Sequence, residues 1–148
     1  FGKYDDWRYR FIPMACRHAV LGLPITVNQN VVIDYLFIDD LVRVVRLFID
    51  HDPQERVYNV CLGSAHTLVS LAKKVIAVSG KDLDLAIRNG DIGREYSGEN
   101  SLLLGELRPF DLTGIDQAIE AVYRWYDANR WAIADDRWGR GEARPREA

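Results

Sequence analysis

The chain has 148 residues, of which 48% are hydrophobic, and it carries a formal net charge of -3. This length and apolar content suffice for one folded domain or part of a larger one, which excludes extensive disorder. The acidic balance disfavours a nucleic-acid partner, and no apolar run approaches the roughly 18 to 20 residues of a membrane span.

The amino-terminal third begins with a helical pattern and continues into a short strand. We predict a helix from Arg8 to Leu21, whose first turn can accommodate Pro13. Gly22 can adopt the left-handed conformation that ends a helix. The apolar residues 25–27 then predict a short strand, followed by a polar turn over residues 28–30.

The segment from Val31 to Ile38 is apolar on both faces, which is typical of a buried strand. Two carboxylates follow at once, and we expect Asp39 or Asp40 to cap a helix over residues 41–50. Ligands of open α/β sheets bind beyond the carboxyl ends of the strands. The strand end near residue 38 is therefore the first place to look for function.

The rest of the chain alternates in the same way. We predict strands at 56–61 and 83–88 and a glycine-rich connection over 89–100. Helices are predicted at 67–79, capped by Thr67, and from Ser101. Thr113 and Asp116 open a last helix as a capping box, and its buried stripe is predicted to be Ile115, Ile119, Val122 and Trp125 or Tyr126. Residues 132–148 read as a charged flexible tail. The order αββαβαβα indicates an α/β fold with too few consecutive strands for a complete doubly wound sheet.

Four phrases carry a family resemblance by their order and spacing: Phe1-Gly2-Lys3-Tyr4, Gly22-Leu23-Pro24, Phe37-Ile38-Asp39-Asp40 and Tyr58-Asn59-Val60. With Arg88-Asn89-Gly90-Asp91, they make the chain resemble the carboxyl-terminal part of extended short-chain dehydrogenases, the nucleotide-sugar epimerases, dehydratases and reductases. The resemblance implies an α/β substrate-binding region over residues 1–131, with a strand and helix that belong to the Rossmann sheet. It also implies an amino-terminal Rossmann domain, which these residues lack.

The resemblance implies NAD or NADP as the cofactor of the full-length protein and a nucleotide sugar as its substrate. No Gly-x-x-Gly-x-x-Gly loop and no Tyr-x-x-x-Lys pair occur in the sequence. We therefore predict no catalytic residue here, no cofactor for these residues alone, and no turnover by them. The expected role is to position a sugar nucleotide for nucleotide-sugar metabolism such as polysaccharide biosynthesis.

Arg88 is the strongest candidate site residue, since the resemblance places it on the diphosphate of the sugar nucleotide and a guanidinium fork suits that group. An exposed structural arginine is the alternative. Ile33 stands where many members have an arginine, so Arg94, or Arg8 and Arg10, could supply the missing cation. Arginine is also the commoner basic residue, since only Lys3, Lys73, Lys74 and Lys81 of the 19 basic residues are lysines.

The remaining candidates carry weaker expectations. The resemblance places Trp7 near the substrate, and Phe1 and Gly2 near the cofactor. Cys16 and Cys61 are expected to be buried free thiols in a cytoplasmic protein, and no histidine has metal-ligand or triad spacing, so we predict no metal. A non-catalytic binding or assembly module with an α/β fold is the alternative function. A homodimer is expected if the strand at 31–38 lies at a sheet edge.

Overall fold

The computed structural model describes residues 1–108 and 111–134. They form a mixed α/β fold of six helices and five short strands. The helices are α1 (Phe11–Leu21), α2 (Ile38–Asp50), α3 (Leu68–Ser79), α4 (Ser101–Glu106), α5 (Ile115–Ala128) and α6 (Arg130–Ala134). The strands are β1 (Ile25–Val27), β2 (Asn30–Asp34), β3 (Ala65–Thr67), β4 (Leu85–Ile87) and β5 (Ile92–Tyr96).

The described strands form two small sheets. In one, β1 pairs with β4 in parallel. In the other, β2 lies between β3, which is antiparallel to it, and β5, which is parallel to it. Both edges of β2 are therefore paired within this sheet, so the strand is not a sheet edge, and the homodimer stays a prediction without support from this strand.

The main core lies where α1, α3 and α5 meet. Fully buried side chains come from each helix, among them Cys16, Leu71 and Ile119. The predicted apolar stripe of the last helix is confirmed, since Val122 and Tyr126 also lie in this core. A smaller cluster joins Val44 of α2 to Leu103 and Leu107 at α4.

Several predicted elements are confirmed. Helix α1 ends at Gly22, whose φ of 74° lies in the left-handed region. Strands β1 and β4 fall inside their predicted ranges, and α4 begins at Ser101. Thr67 caps α3 by accepting a hydrogen bond from Ser70 N at 3.1 Å.

Two strand predictions are wrong. Residues 56–61 are irregular, since no described strand pairs with them. The connection over 89–100 contains β5, which pairs with β2 far away in the sequence. A side chain at Gly93 would lie 2.9 Å from Gln29 Nε2 and 3.1 Å from Val31 Cγ1, so its glycine allows the two strands to approach.

The predicted caps of α2 and α5 are wrong. Helix α2 begins at Ile38, so Asp39 and Asp40 lie in its first turn instead of capping it. Asp40 is fully buried, and its carboxylate accepts hydrogen bonds from Thr113 N at 2.7 Å and from Thr113 Oγ1 at 3.0 Å. Asp40 therefore fixes the chain before α5, and Gly114 takes the cap position of that helix.

The tail prediction fails at its first residues. Ala132 and Ile133 lie in α6 and are buried, and the Ile133 carbonyl accepts a hydrogen bond from Arg17 Nε at 2.8 Å. These residues pack against α1, as part of the core. Residues 135–148 lie outside the described part of the chain.

Candidate functional site

Two neighbouring clefts share one arginine, Arg10. The first, the Thr26 cleft, has a volume of about 330 Å³ and lies between the start of α1 and the carboxyl end of β1. Its lining includes Arg8, Tyr9, Arg10, Phe11, Thr26, Asn28 and Gln29. The second, the Tyr35 cleft, has a volume of about 390 Å³ and is lined in part by Phe1, Asp5, Arg10, Ile33, Asp34, Tyr35 and Leu36.

The fold places both clefts at strand ends. The Thr26 cleft includes Asn28 and Gln29, which directly follow β1, and the Tyr35 cleft includes Tyr35 and Leu36, which directly follow β2. Ligands of α/β proteins bind beyond such carboxyl ends, where side chains and backbone groups are not used in the sheet. The sequence pattern predicted this location, although the strand ends at Asp34 and not at residue 38.

Arg10 is exposed and lies at the N-cap position of α1. Its backbone carbonyl accepts a hydrogen bond from Met14 N at 3.0 Å, which fixes the start of the helix. Its guanidinium makes no hydrogen bond or ion pair with the described residues. A cation at the junction of two clefts, with its donors unused, is suited to bind an anionic group that spans both.

The electrostatics of the Tyr35 cleft keep its tyrosine neutral. Burial raises the pKa of Tyr35, and the positive charge of Arg10 partly offsets that rise. The phenol therefore remains protonated at neutral pH and can donate a hydrogen bond. Arg10 and Tyr35 together give the cleft one cation and one neutral donor.

Asp34 holds the wall of the Tyr35 cleft in place. Its carboxylate accepts hydrogen bonds from Leu62 N at 2.9 Å and Gly63 N at 2.7 Å. These bonds tie the loop before β3 to the end of β2. Asp34 is therefore engaged with the backbone.

Arg88 follows β4 and lies next to the Thr26 cleft. Because β1 and β4 are parallel, their carboxyl ends lie at the same edge of the sheet. Arg88 N donates a hydrogen bond to the carbonyl of Val27, a residue that lines the cleft, at 2.9 Å. The Arg88 side chain is exposed and has no hydrogen bond or ion pair with the described residues.

The other predicted substrate residues are placed less centrally. Arg94 is exposed on β5, one strand away from Val31 and Ile33, which line the two clefts. Trp7 is buried and lines neither cleft, and the Arg17 guanidinium lies 3.8 Å from its ring centroid. Trp7 thus packs in the core, and we do not include it in the proposed site.

The predicted cofactor residues lie at the start of the Tyr35 cleft. Phe1 lines this cleft and packs edge to face against Tyr35, with ring centroids 5.9 Å apart. Gly2 is buried, and a side chain there would overlap Ile38 at the start of α2. Of the described junctions between a strand and the following helix, residues 35–37 contain no glycine and residues 97–100 contain one, Gly98, so none has the glycine-rich loop that seats a pyrophosphate.

Sequence reasoning missed the central position of Arg10, which it treated as one of several substitutes. It also missed Asn28, Gln29 and Tyr35 as cleft residues. A polar turn directly after a short strand was the available signal, since such turns form the mouths of α/β sites. Within the described residues no cluster of side chains could hold a metal ion, and no helix is long and apolar enough to cross a membrane.

The comparisons with known proteins agree with this architecture. Residues 1–61 match the family described as the NAD dependent epimerase/dehydratase family. Among curated proteins, none is similar enough in sequence to match. The family resemblance that the sequence motifs indicated is thus borne out over residues 1–61.

Solved structures show the same fold at low sequence identity. UDP-glucose 4-epimerase from Thermus thermophilus, in complex with NAD, superposes with a TM-score of 0.68 at 22% identity, over 85% of this chain and 43% of the epimerase. UDP-N-acetylglucosamine 4-epimerase from Methanobrevibacter ruminantium M1, in complex with UDP-N-acetylmuramic acid, gives 0.73 at 19% identity, over 87% and 44%. A GDP-L-fucose synthetase from Naegleria fowleri gives 0.71 at 16% identity, over 88% and 44%. The chain thus spans less than half the length of each of these proteins.

Proposed function

We propose that this chain, which has an extended short-chain dehydrogenase fold and the epimerase/dehydratase family pattern over residues 1–61, binds a nucleotide sugar. It would form the substrate-binding portion of an NAD- or NADP-dependent nucleotide-sugar epimerase, dehydratase or reductase. The observation that carries the proposal is the shared position of Arg10 between two clefts. A nucleotide sugar has a diphosphate between two bulkier groups, which matches a cation between two clefts.

The lining of the Thr26 cleft suits the nucleoside. Its lining includes the aromatic residues Tyr9 and Phe11 and the amide residues Asn28 and Gln29, which can act as hydrogen-bond donors and acceptors. A planar base with polar edges needs both kinds of contact. We therefore assign the nucleoside to the Thr26 cleft and the sugar to the Tyr35 cleft, where Tyr35 can donate to a hydroxyl group.

The diphosphate would then lie at Arg10, with Arg88 as a second cation. The backbone of Arg88 lies beside the Thr26 cleft, because Arg88 N donates a hydrogen bond to the Val27 carbonyl. Ile33, which occupies the position of the family's second arginine, lines the Tyr35 cleft together with Arg10. We propose that Arg10 supplies the charge that Ile33 cannot, with Arg94 as a more distant contributor.

The cofactor would be bound by residues other than these 148. NAD or NADP supplies hydride chemistry when bound, and Phe1 would cover part of it from the Tyr35 cleft. The chain by itself should bind the nucleotide sugar without turning it over. The proposal carries three further expectations: a cytoplasmic location, a role in polysaccharide biosynthesis and a homodimer. Size-exclusion chromatography would test the homodimer.

Titration calorimetry of the purified chain with UDP-glucose, GDP-mannose and NAD tests the proposal. We expect saturable binding of at least one nucleotide sugar and no binding of NAD. NAD binding by the chain alone would contradict the proposed division between substrate and cofactor. Failure to bind any sugar nucleotide at millimolar concentration would overturn the proposed function.

A further inference from the structure

Asn30 is a buried polar residue that joins three separate segments. The residue is 7% exposed, and it lies at the first position of β2. Its Oδ1 accepts a hydrogen bond from Val69 N at 3.1 Å, in the first turn of α3. Its Nδ2 donates a long hydrogen bond of 3.5 Å to the Gly90 carbonyl, and its backbone N donates to the Asn89 carbonyl at 3.2 Å.

These bonds hold the segment that follows Arg88. On its amino-terminal side the segment is fixed by the bond from Arg88 N to the Val27 carbonyl. On its carboxyl-terminal side it is fixed by the two bonds from Asn30 to Asn89 and Gly90. The backbone of Arg88 is therefore held from both sides, although its side chain is exposed.

Asn30 does not itself line the Thr26 cleft, whereas its neighbours Gln29 and Val31 do. The Asn30 amide bonds one N–H group, that of Val69, and one carbonyl, that of Gly90, while the Asn30 backbone N bonds the Asn89 carbonyl. These contacts fix the relative positions of the segments they join, because each unmade bond would leave a buried polar group unsatisfied. The amide thus connects the β1–β2 turn, the start of α3 and the loop after Arg88. Any effect of Asn30 on a ligand in the cleft must pass through these neighbours.

We propose that Asn30 is a positioning residue that holds Arg88 at the mouth of the Thr26 cleft. The inference rests on the proposed function, since it assumes that Arg88 contacts the diphosphate. Asn30 fixes the backbone after Arg88, so that the guanidinium reaches the cleft from a restricted set of positions. Restricting a charged group before binding lowers the entropy lost when the ligand arrives.

A double-mutant cycle on the 148-residue chain tests this role. The variants are Asn30→Ala, Arg88→Ala and the pair, with UDP-glucose affinity measured by titration. Asn59→Ala is the matched control, because the Asn59 amide also donates to a backbone carbonyl, that of Glu99 at 3.0 Å, and Asn59 does not line either cleft. Circular dichroism and thermal unfolding establish that each variant is folded.

We expect Asn30→Ala to weaken UDP-glucose binding about 5- to 10-fold and Asn59→Ala to change it less than about twofold. In the Arg88→Ala background, Asn30→Ala should have no further effect, because the residue it positions is gone. An equal loss in both backgrounds would show that Asn30 acts on the cleft directly, and no loss in either would show that it positions nothing. Both results overturn the inference while leaving the proposed function intact.

If Asn30→Ala does not fold, Asn30→Asp replaces it in the same cycle. The aspartate keeps the oxygen that accepts from Val69 N and loses only the donor to Gly90. Its added charge attracts the Arg88 guanidinium and would itself create coupling, so this cycle is measured at about 0.5 M salt, where that attraction is screened. Absence of coupling to Arg88 under these conditions again refutes the role. If the unmodified chain does not bind UDP-glucose or another sugar nucleotide, the proposed function fails, and this inference fails with it.

Discussion

Adjacent aspartates at the start of α2 should differ sharply in their effect on stability. Asp40 is fully buried and accepts two hydrogen bonds from Thr113 and one from Arg43 Nη1 at 3.0 Å. Asp39 is exposed in the same turn. We therefore compare Asp40→Ala and Asp40→Asn with Asp39→Ala as the matched control.

The expected loss for Asp40→Ala is about 3 kcal/mol of unfolding free energy. The two bonds to Thr113 contribute about 1 to 1.5 kcal/mol each. The pair with Arg43, whose side chain is 47% exposed, contributes less than about 1 kcal/mol. Asp40→Asn keeps one acceptor oxygen and should cost about half as much. Asp39→Ala loses only the interaction with the helix dipole, about 0.3 to 1 kcal/mol.

Urea unfolding followed by circular dichroism measures these differences, provided that the slope with denaturant is unchanged. The reasoning predicts the order Asp40→Ala, then Asp40→Asn, then Asp39→Ala, from largest to smallest loss. Equal losses for Asp39→Ala and Asp40→Ala would refute it. That result would mean that both carboxylates act on the helix end and that the bonds to Thr113 carry little energy.

Three further outcomes follow from the packing. Burial raises the pKa of the Cys16 thiol above its ordinary value of 9.0, so the thiol loses its proton more easily in the unfolded state. The free energy of unfolding should therefore fall as the pH rises above about 9. Urea unfolding at several pH values should show a shallower fall for Cys16→Ala. The buried Cys16 thiol should also resist iodoacetamide in the native chain at about pH 8, as mass spectrometry can show. Gly63→Ala should lower the free energy of unfolding by about 1 kcal/mol or more beyond the loss in Gly22→Ala. Both glycines have a positive φ, but only the new Cβ at position 63 would meet another residue, since it would lie 2.7 Å from Asn100 Oδ1.

The sequence predicted elements whose signals are local. Gly22 and Thr67 end and begin their helices by side-chain and backbone chemistry within a few residues, and both predictions are confirmed. The apolar stripe of α5 likewise depends on spacing within one helix. The α/β class and the family resemblance followed from such local motifs in order.

The sequence failed where partners distant in the chain decide the outcome. β5 contains a glycine and two charged residues, and it is a strand because β2 offers it a parallel edge. Asp40 looked like a cap, yet its partner is Thr113, 73 residues away. Arg10 lines both clefts only because the fold places it between them, and no spacing in the sequence indicates this position.

The affinity of the Arg10→Ala variant for UDP-glucose tests the central claim most directly, with Arg46→Ala as a control for loss of an exposed arginine away from both clefts. A charged hydrogen bond to phosphate contributes about 1.5 to 3 kcal/mol, which corresponds to roughly a 10- to 150-fold change in Kd. We predict a loss in that range for Arg10→Ala and less than about a twofold change for Arg46→Ala. Unchanged affinity in Arg10→Ala would contradict the account, because the two clefts would then share no anion-binding group.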